Sequence, residues 1–336
     1  MTYSYSLFLA LLASAVPALA NVTINSPGQN AKVVSPFWLS ANANPCSSQT
    51  VASMGYSFDD SANTTIVNGS SISTTISFAT GVHVLHIKSW GNQGASCVSS
   101  ITLTVVPPPT SMVPWYGIKA GAIQTLGSWQ ADHDTATGYG WASGWTGLVN
   151  APSLTGYARE FATSFSNYAG ERYEVSFGID TEAQNFLYDA WVNFANPSSG
   201  IANLEMDLNQ VMPNGQTVIY GFQCDGYSGT WDYTVNAGTP QNYSDIWRHS
   251  YARCDPREWS TNAWHHIQIS YSRNGAGNVT YKSVWLDNIE QDIYITVPSA
   301  FALGWTPTLL TNFQVDGLGT SGSTSVYMDN LTVYRW

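Results

Sequence analysis

The chain consists of short runs of β-branched and aromatic residues that turn-forming residues interrupt. Before residue 107 the runs are short, as in STTISFA and HVLHIKSW. Beyond residue 115 they are longer, as in TVIYGFQCD and AWHHIQISYS, and turn signals such as MPNG and RNGAGN separate them. No stretch of useful length repeats apolar residues at the helical period. This pattern predicts an all-β chain of packed antiparallel sheets.

A proline-rich segment divides the chain. In VVPPPTSMVP, at 105–114, three consecutive prolines stiffen the backbone toward polyproline II. The part before it has about seven short strand patterns and two cysteines, which is typical of an immunoglobulin-like (Ig-like) sandwich. The part after it is long enough for one larger jelly-roll sandwich. We therefore predict a signal peptide, an Ig-like sandwich, a linker and a jelly roll at 1–20, 21–106, 107–114 and 115–336.

The N-terminal residues predict export. LFLALLASAV, at 7–16, is an apolar core, and Ala18-Leu19-Ala20 has the small-x-small pattern of a signal-peptidase site, although MTYSYS contains no Lys or Arg. The apolar run is shorter than the ~20 residues that a membrane span needs. We therefore expect a mature chain that begins near Asn21 and is secreted, either free or at the cell surface, without membrane insertion.

The cysteines point to disulfides. The chain has four, Cys46, Cys97, Cys224 and Cys254, which allow three pairings. Two lie on each side of the linker, which favours Cys46–Cys97 and Cys224–Cys254. Zinc is a poor alternative because no CxxC or HxxxH spacing is present. Paired cysteines agree with an oxidising compartment.

Charge and composition limit the ligand class. Only 10% of the residues are charged, and 11 Lys+Arg against 22 Asp+Glu give a formal net charge of −11. No basic run could neutralise a phosphate backbone or anionic lipid, so neither nucleic acid nor a membrane is an expected partner. A surface rich in Ser, Thr, Asn, Tyr and Trp suits neutral ligands with many hydroxyl groups. We expect a monomer that binds a neutral polysaccharide or glycan.

Alternation along the longer strands places amide, carboxylate and aromatic side chains opposite the apolar ones. In NLEMDLNQ, at 203–210, Glu205 and Asp207 alternate with three apolar residues. Amides and carboxylates can hydrogen bond to sugar hydroxyls, and an indole offers an apolar plane to a pyranose. The candidate ligand-binding residues on such faces, with two from a glycine-rich segment, are Asp189, Trp191, Asn193, Asn209, Gln223, Gln268, Asn312, Gln314, Trp141 and Trp145.

The Glu205-x-Asp207 pair is the sharpest single feature. Two carboxylates at i and i+2 of a strand share one face, with Cα atoms ~6.5–7 Å apart. Like charges at that spacing raise one pKa, which is how two carboxyl groups can become an acid and a base. The pair is therefore the candidate catalytic group if the chain is an enzyme.

Two family resemblances follow from these motifs. VTINSPGQNAKV and SSITLTVV resemble the Ig-like modules appended to secreted bacterial carbohydrate-active proteins, which implies a spacer or adhesion role. The region 115–336 resembles the concanavalin A-like lectin/glucanase superfamily, and LEMDLNQ is similar to the ExDxE strand of family 16 glycoside hydrolases. The resemblance implies a nucleophile at Glu205 and an assisting carboxylate at Asp207.

The third position of that pattern departs from the family. Asn209 occupies it, and Gln210 occupies the corresponding place in the bulged ExDxxE version. Neither amide can act as the acid/base, so we expect carbohydrate binding ahead of cleavage. The alternatives are an endo-glucanase-like glycoside hydrolase, in which His266 is a candidate for the missing acid because histidine titrates near neutrality, and a structural adhesin module.

One motif suggests a metal. Asp329-Asn330 resembles the Asp-Asn step near a structural Ca²⁺ in some sandwich modules, so Asp329 is the metal candidate. No cofactor is expected to be required.

Overall fold

A computed structural model describes residues 22–60, 62–134, 140–195 and 200–336. The predicted signal peptide at 1–20 lies outside these residues. Among the described residues, no helix is long and apolar enough to cross a membrane.

The described chain is built of β-strands, with short 3-10 turns at Pro109–Met112, Ile123–Thr125 and Pro256–Glu258. The all-β prediction is therefore confirmed. Numbered in chain order, the strands are β1 Val22–Ser26, β2 Lys32–Val34, β3 Phe37–Ala43, β4 Val51–Phe58, β5 Thr65–Asn68, β6 Ser71–Ile76, β7 Gly81–Gly91, β8 Ser96–Val106, β9 Ile118–Ala120, β10 Gln130–Asp134, β11 Trp141–Val149, β12 Ala158–Ser166, β13 Gly170–Gly178, β14 Asn185–Phe194, β15 Ile201–Val211, β16 Thr217–Tyr220, β17 Phe222–Asp225, β18 Thr230–Asn236, β19 Asp245–Arg253, β20 Trp264–Arg273, β21 Asn278–Leu286, β22 Ile289–Pro298, β23 Ala300–Phe301, β24 Leu309–Gly317 and β25 Gly322–Arg335.

The chain forms two compact units. The first contains Trp38–Thr75 and Val82–Leu103 together with the described residues up to Asn30. The second contains Ala31–Phe37, Ile76–Gly81 and Thr104–Trp336. Two short segments of this unit, Ala31–Phe37 and Ile76–Gly81, fall in the stretch that the sequence analysis gives to the Ig-like sandwich. The proline run marks a change in composition, and the change in packing does not coincide with it.

The first unit has a three-stranded sheet in the order β1-β3-β6 and antiparallel pairs of β4 with β5 and β7. Alternate residues of these strands supply its apolar interior, including Leu39, Met54 and Leu85, which are fully buried. The disulfide Cys46–Cys97, with Cα atoms 6.0 Å apart, lies within this unit and confirms the predicted pairing.

The second unit contains two sheets. One, here called the cleft sheet, has the strand order β10-β13-β24-β15-β17-β18-β19. The other, here called the back sheet, runs β11-β12-β25-β14-β20-β21-β22, with β2 pairing antiparallel to β22. Apolar side chains from both sheets form one buried cluster, in which Phe161 of β12 lies 4.8 Å from Phe313 of β24 between ring centroids. The unit is therefore a two-sheet sandwich.

The second disulfide ties the end of β17 to the chain just beyond β19. Cys224 and Cys254 have Cα atoms 5.3 Å apart and both are buried, which confirms the other predicted pairing. The bond fixes the edge of the cleft sheet beside Gln223.

Candidate functional site

Strand β15 supplies both the core and a polar face because its side chains alternate. Leu204, Met206 and Leu208 are fully buried in the apolar cluster. Glu205 and Asp207 stand on the opposite face, where they line a cleft of about 460 Å³. They are themselves nearly buried, with exposed fractions of 9% and 5%, so this face is the floor of a depression and not an open surface.

Polar residues cross the cleft sheet in register. Each residue of one row is the cross-strand partner of the next, so their side chains share one face of the sheet. From β10 to β19 the row reads Asp132, Arg172, Gln314, Glu205, Gln223, Asp232 and His249. A second row pairs Glu174, Asn312 and Asp207. The antiparallel register of the strands thus assembles a polar face from residues far apart in sequence.

Six of the sequence-predicted site residues line this cleft together. They are Glu205, Asp207, Asn209, Gln223, Asn312 and Gln314. The side-chain oxygens of Asn209 and Asn312 are buried and accept no hydrogen bond in the described part of the chain. A ligand that carries hydroxyl groups can provide the missing donors.

The cleft also contains residues that sequence analysis missed. Trp247 of β19 and Trp305, in the connection between β23 and β24, both line it, and Trp305 is 44% exposed. Asp245 and Trp247 are two residues apart in β19, so alternation along this strand could have placed Trp247 on the polar face. Trp305 lies outside any strand, so no periodicity could have placed it.

Glu205 and Asp207 form a pair of neighbouring carboxyl groups. Their side chains are hydrogen bonded to each other, and the backbone N–H of Phe222 donates to Asp207 Oδ1 over 3.0 Å. Burial raises the pKa of Asp207 to about 7, against the lowering effect of those two hydrogen bonds. A pKa near neutrality allows one member of the pair to donate a hydrogen bond or a proton.

The charge of the cleft is dominated by acids. Its lining includes four carboxyl residues and one guanidinium, Glu205, Asp207, Asp245, Asp316 and Arg172. The guanidinium is already engaged with Asp132, at 2.6 Å between Nη2 and Oδ2. Burial raises the pKa of Asp245, whose carboxylate accepts a hydrogen bond from the Thr234 hydroxyl. Such a surface repels anionic ligands.

β15 pairs with β24 in unbroken register from Asn203 to Gln210, so Asn209 shares the cleft face with Glu205 and Asp207. Gln210 points the other way: its amide nitrogen donates to the Asp180 and Ala183 carbonyls at 2.8 and 3.0 Å. Gln210 is a structural residue of the interior.

The other seven predicted site residues do not line this cleft. They lie on the back sheet. Alternation along a strand predicts which side of the strand is polar, but it does not predict which sheet the strand joins. These residues are Trp141, Trp145, Asp189, Trp191, Asn193, His266 and Gln268.

Four of the seven form a closed network. His266 stacks on Trp191 with ring centroids 4.4 Å apart, and its Nε2 lies 2.8 Å from Asp189 Oδ1. Gln268 Nε2 donates to Asp189 Oδ2, also over 2.8 Å. Both carboxylate oxygens of Asp189 are thus occupied by its sheet neighbours. His266 lies on the back sheet, on the face opposite to core-facing Ile267, so it cannot supply an acid to the cleft.

Asp329 is surrounded by donors. Its carboxylate accepts hydrogen bonds from the Leu154 and Thr155 backbone N–H groups at 2.6 and 3.0 Å and from the Ser153 and Thr155 hydroxyls at 2.8 and 2.5 Å. The Gln124 side chain donates to it over 3.2 Å. These groups satisfy the carboxylate without a cation and tie the loop before β12 to the last strand.

A different group has metal-ligating chemistry. One ligand atom from each of Asp225, Asp232 and His249 lies within 4.8 Å of the others. Burial raises the pKa of Asp232 to about 6, and the neighbouring Asp225 carboxyl adds to this effect. Hydrogen bonds with Thr230 and His249 lower the pKa and oppose the shift. Two carboxylates and one imidazole would suit a divalent ion. The group continues the polar row beyond Gln223.

No family model matches the chain, and no curated protein matches it. Solved structures resemble it with low identity. One is described as the "Structural basis for the promiscuous specificity of the carbohydrate-binding modules from the beta-sandwich super family", at 12% identity and a TM-score of 0.34, over 93% of this chain and 96% of that one.

Two further structures resemble part of the chain. Cellulose induced protein Cip1 shares 10% identity at a TM-score of 0.35, over 60% of this chain and 92% of its own. A family 11 carbohydrate-binding module from Clostridium thermocellum, in complex with a β-1,3-1,4-mixed-linked tetrasaccharide, shares 12% identity at a TM-score of 0.28, over 65% and 95%. At these similarities we base no functional assignment on any of the three.

Proposed function

We propose that the protein is a secreted carbohydrate-binding protein whose cleft holds a stretch of a neutral polysaccharide. The observation that carries this proposal is the floor of the cleft, where amides and carboxyl groups lie in register beside Trp247 and Trp305. Amides and carboxyls offer donors and acceptors in fixed geometry, and indoles pack against the C–H faces of sugar rings.

Charge supports a neutral ligand. The acidic lining and the engaged Arg172 disfavour uronic acid and sulfated polymers. The two disulfides fit an oxidising compartment, in agreement with the signal peptide that the sequence predicts.

The proposal is tested with a panel of soluble oligosaccharides from neutral β-glucans, xylan, mannan and galactan, and with oligogalacturonate as the anionic arm. Calorimetry should detect binding to a neutral member and none to oligogalacturonate. Trp247→Ala and Trp305→Ala should each weaken that binding by about tenfold through lost stacking, or about 1.4 kcal/mol. Trp38→Ala, which removes a 47% exposed indole from the first unit, is the matched control and should change nothing. Binding to the anionic arm alone would contradict the proposal.

A second candidate function is glycoside cleavage, which the raised pKa of Asp207 favours. A carboxyl group with a pKa near neutrality can act as a general acid, and its ionised partner as a base or nucleophile. The missing carboxyl at Asn209 counts against the double-displacement mechanism. Release of reducing ends from the bound polymer, abolished by Glu205→Gln with ligand affinity retained, would establish cleavage. If no reducing ends are released during prolonged incubation, cleavage is contradicted and carbohydrate binding remains the function.

A further inference from the structure

Two indoles stand exposed on one face of an edge strand of the back sheet. Trp141 and Trp145 in β11 are 59% and 56% exposed. They are four residues apart in a continuous strand, so both point to the same side with Cα atoms ~13 Å apart. Exposed large aromatic side chains at such regular spacing mark a contact surface.

The Trp145 ring lies along the sheet instead of projecting from it. A Cβ atom built at Gly147 would lie 2.4 Å from Cζ2 and 2.5 Å from Cη2 of that indole. The ring therefore covers the Cα of Gly147, a position that only glycine leaves open. The Cζ2–Cη2 side of the indole thus lies against the backbone, while more than half of the side chain stays exposed.

The side chains beside the two rings are short and polar, and one carboxylate adjoins them: Glu160 accepts a hydrogen bond from the Ser325 hydroxyl over 2.7 Å. The strands β11, β12 and β25 place Ser143, Ser164 and Ser323 in one cross-strand row, and Trp145, Ala162 and Ser325 in the next. Together they line a shallow trough of about 570 Å³. None of the described residues that line it is ionisable. Short side chains leave the backbone accessible over a wide area, and the hydroxyl groups offer hydrogen bonds without charge.

We propose that this trough and the adjoining Trp141 form a second glycan-binding surface, separate from the cleft, that holds an extended neutral polysaccharide chain. The Glu160 carboxylate beside the trough disfavours an anionic polymer, and the exposed ring of Trp145 matches the apolar face of a pyranose. The shallow trough suits a chain lying on a polymer surface, whereas the cleft surrounds a single stretch of chain. Two sites on one unit would raise affinity for an insoluble polymer through effective concentration.

The test compares insoluble and soluble forms of the polysaccharide that wild type binds. The variants are Trp141→Ala/Trp145→Ala for the trough, Trp247→Ala/Trp305→Ala for the cleft, and Trp38→Ala as the exposed-indole control. In depletion assays with the insoluble polymer, the trough variant should lose about tenfold in affinity, or about 1.4 kcal/mol. In calorimetry with a short oligosaccharide it should keep the affinity of wild type for the cleft.

Gly147→Val provides a second, milder variant. Its side chain would lift the Trp145 ring from the sheet while both indoles remain, so polymer affinity should fall and thermal stability should change little. Unchanged polymer binding by the trough variant and by Gly147→Val would overturn the second surface and leave the cleft proposal untouched. Loss of oligosaccharide binding only in the cleft variant would support the cleft proposal independently. A wild-type dimer that the trough variant converts to monomer would instead assign these indoles to self-association and overturn the inference.

Discussion

The Asp207 carboxyl group lowers the stability of the fold when it is ionised, but it is also suited to binding a ligand. It is buried on the floor of the cleft, hydrogen bonded to a second carboxyl, and its pKa is raised to about 7 by burial. An ionised carboxylate there lacks a positive partner at contact distance among the described residues. Such a group costs stability, and a site that retains that cost commonly uses the group for binding or catalysis.

Replacement of Asp207 by Asn should stabilise the protein above neutral pH. The folded chain binds more protons than the unfolded chain between about pH 4 and pH 7, so wild-type stability falls as pH rises through that window. Asn keeps the acceptor for the Phe222 N–H and removes the ionisation. We expect similar unfolding free energies at pH 4.5 and an advantage of about 3 kcal/mol for the variant at pH 8. Urea denaturation at both values measures this, and an advantage that does not change with pH would show that burial of the charge is not the cause.

The pKa of Asp329 is shifted in the opposite direction to that of Asp207, because the hydrogen bonds of Asp329 favour its ionised form. Burial raises its pKa, but donation from Thr155, Ser153 and the nearby backbone outweighs burial and leaves the pKa below its usual value. Its stabilising effect is therefore present above the unfolded pKa and is lost as pH falls through the lower folded value.

Asp329→Ala should lower the free energy of unfolding by about 2 kcal/mol, because it removes the acceptor shared by buried Gln124 and the partly exposed donors of Ser153, Leu154 and Thr155. Asp292→Ala is the matched control: that carboxylate pairs with Lys32 at the surface, where a salt bridge contributes less than about 1 kcal/mol. Chemical denaturation at pH 7 compares them. Equal losses for the two variants would show that Asp329 has no special role in tying the loop to β25.

At the scale of the element, β15 shows how one strand performs two tasks. One side fills the sandwich interior, and the other forms the cleft floor, with no charged side chain directed to the core. The position of this face depends on neighbours, because β24 and β17 supply the flanking amides and β19 supplies Trp247.

Removal of the Cys224–Cys254 bond should therefore affect binding as well as stability. The bond closes a loop of sequence separation 30 beside Gln223, and its loss by Cys→Ala at both positions should cost about 3 kcal/mol. Ligand affinity at the cleft should fall with it, because β17 is then less firmly held. The matched removal of Cys46–Cys97 should destabilise the first unit and leave cleft affinity unchanged. Calorimetric affinities and melting curves of the two double variants test this, and equal affinity losses would contradict it.

At the scale of the molecule, the second unit includes a strand from before the proline run. Lys32 and Val33 of β2 pair with Glu290 and Ile289 of β22, and Lys32 Nζ lies 2.5 Å from Asp292. A boundary at residue 115 therefore removes β2 from this unit, together with residues 104–106, which pair with it. The cleft sheet contains no residue of β2, so no backbone pairing of the cleft floor is lost when β2 is removed.

A chain of residues 115–336 should fold and keep the cleft affinity of the full chain, with a melting temperature lower by about 2–6 °C. The loss reflects the backbone and ion-pair contacts of β2. Circular dichroism melting and calorimetry compare this chain with the full protein and with Lys32→Ala, which removes only the ion pair and should shift the melting temperature less. An unfolded 115–336 chain would show that the segment around β2 is essential to this core.

The sequence by itself determined the strand content, both disulfides and the polar side of β15, since each depends on local periodicity or on the position of the cysteines relative to the prolines. It also identified six residues of the cleft. Tertiary structure alone decided that Trp191 and His266 belong to the other sheet, and that Trp247 and Trp305 complete the cleft. The physical reason is that alternation records which side of a strand is apolar, whereas the sheet that each strand joins depends on pairing between residues far apart in the chain.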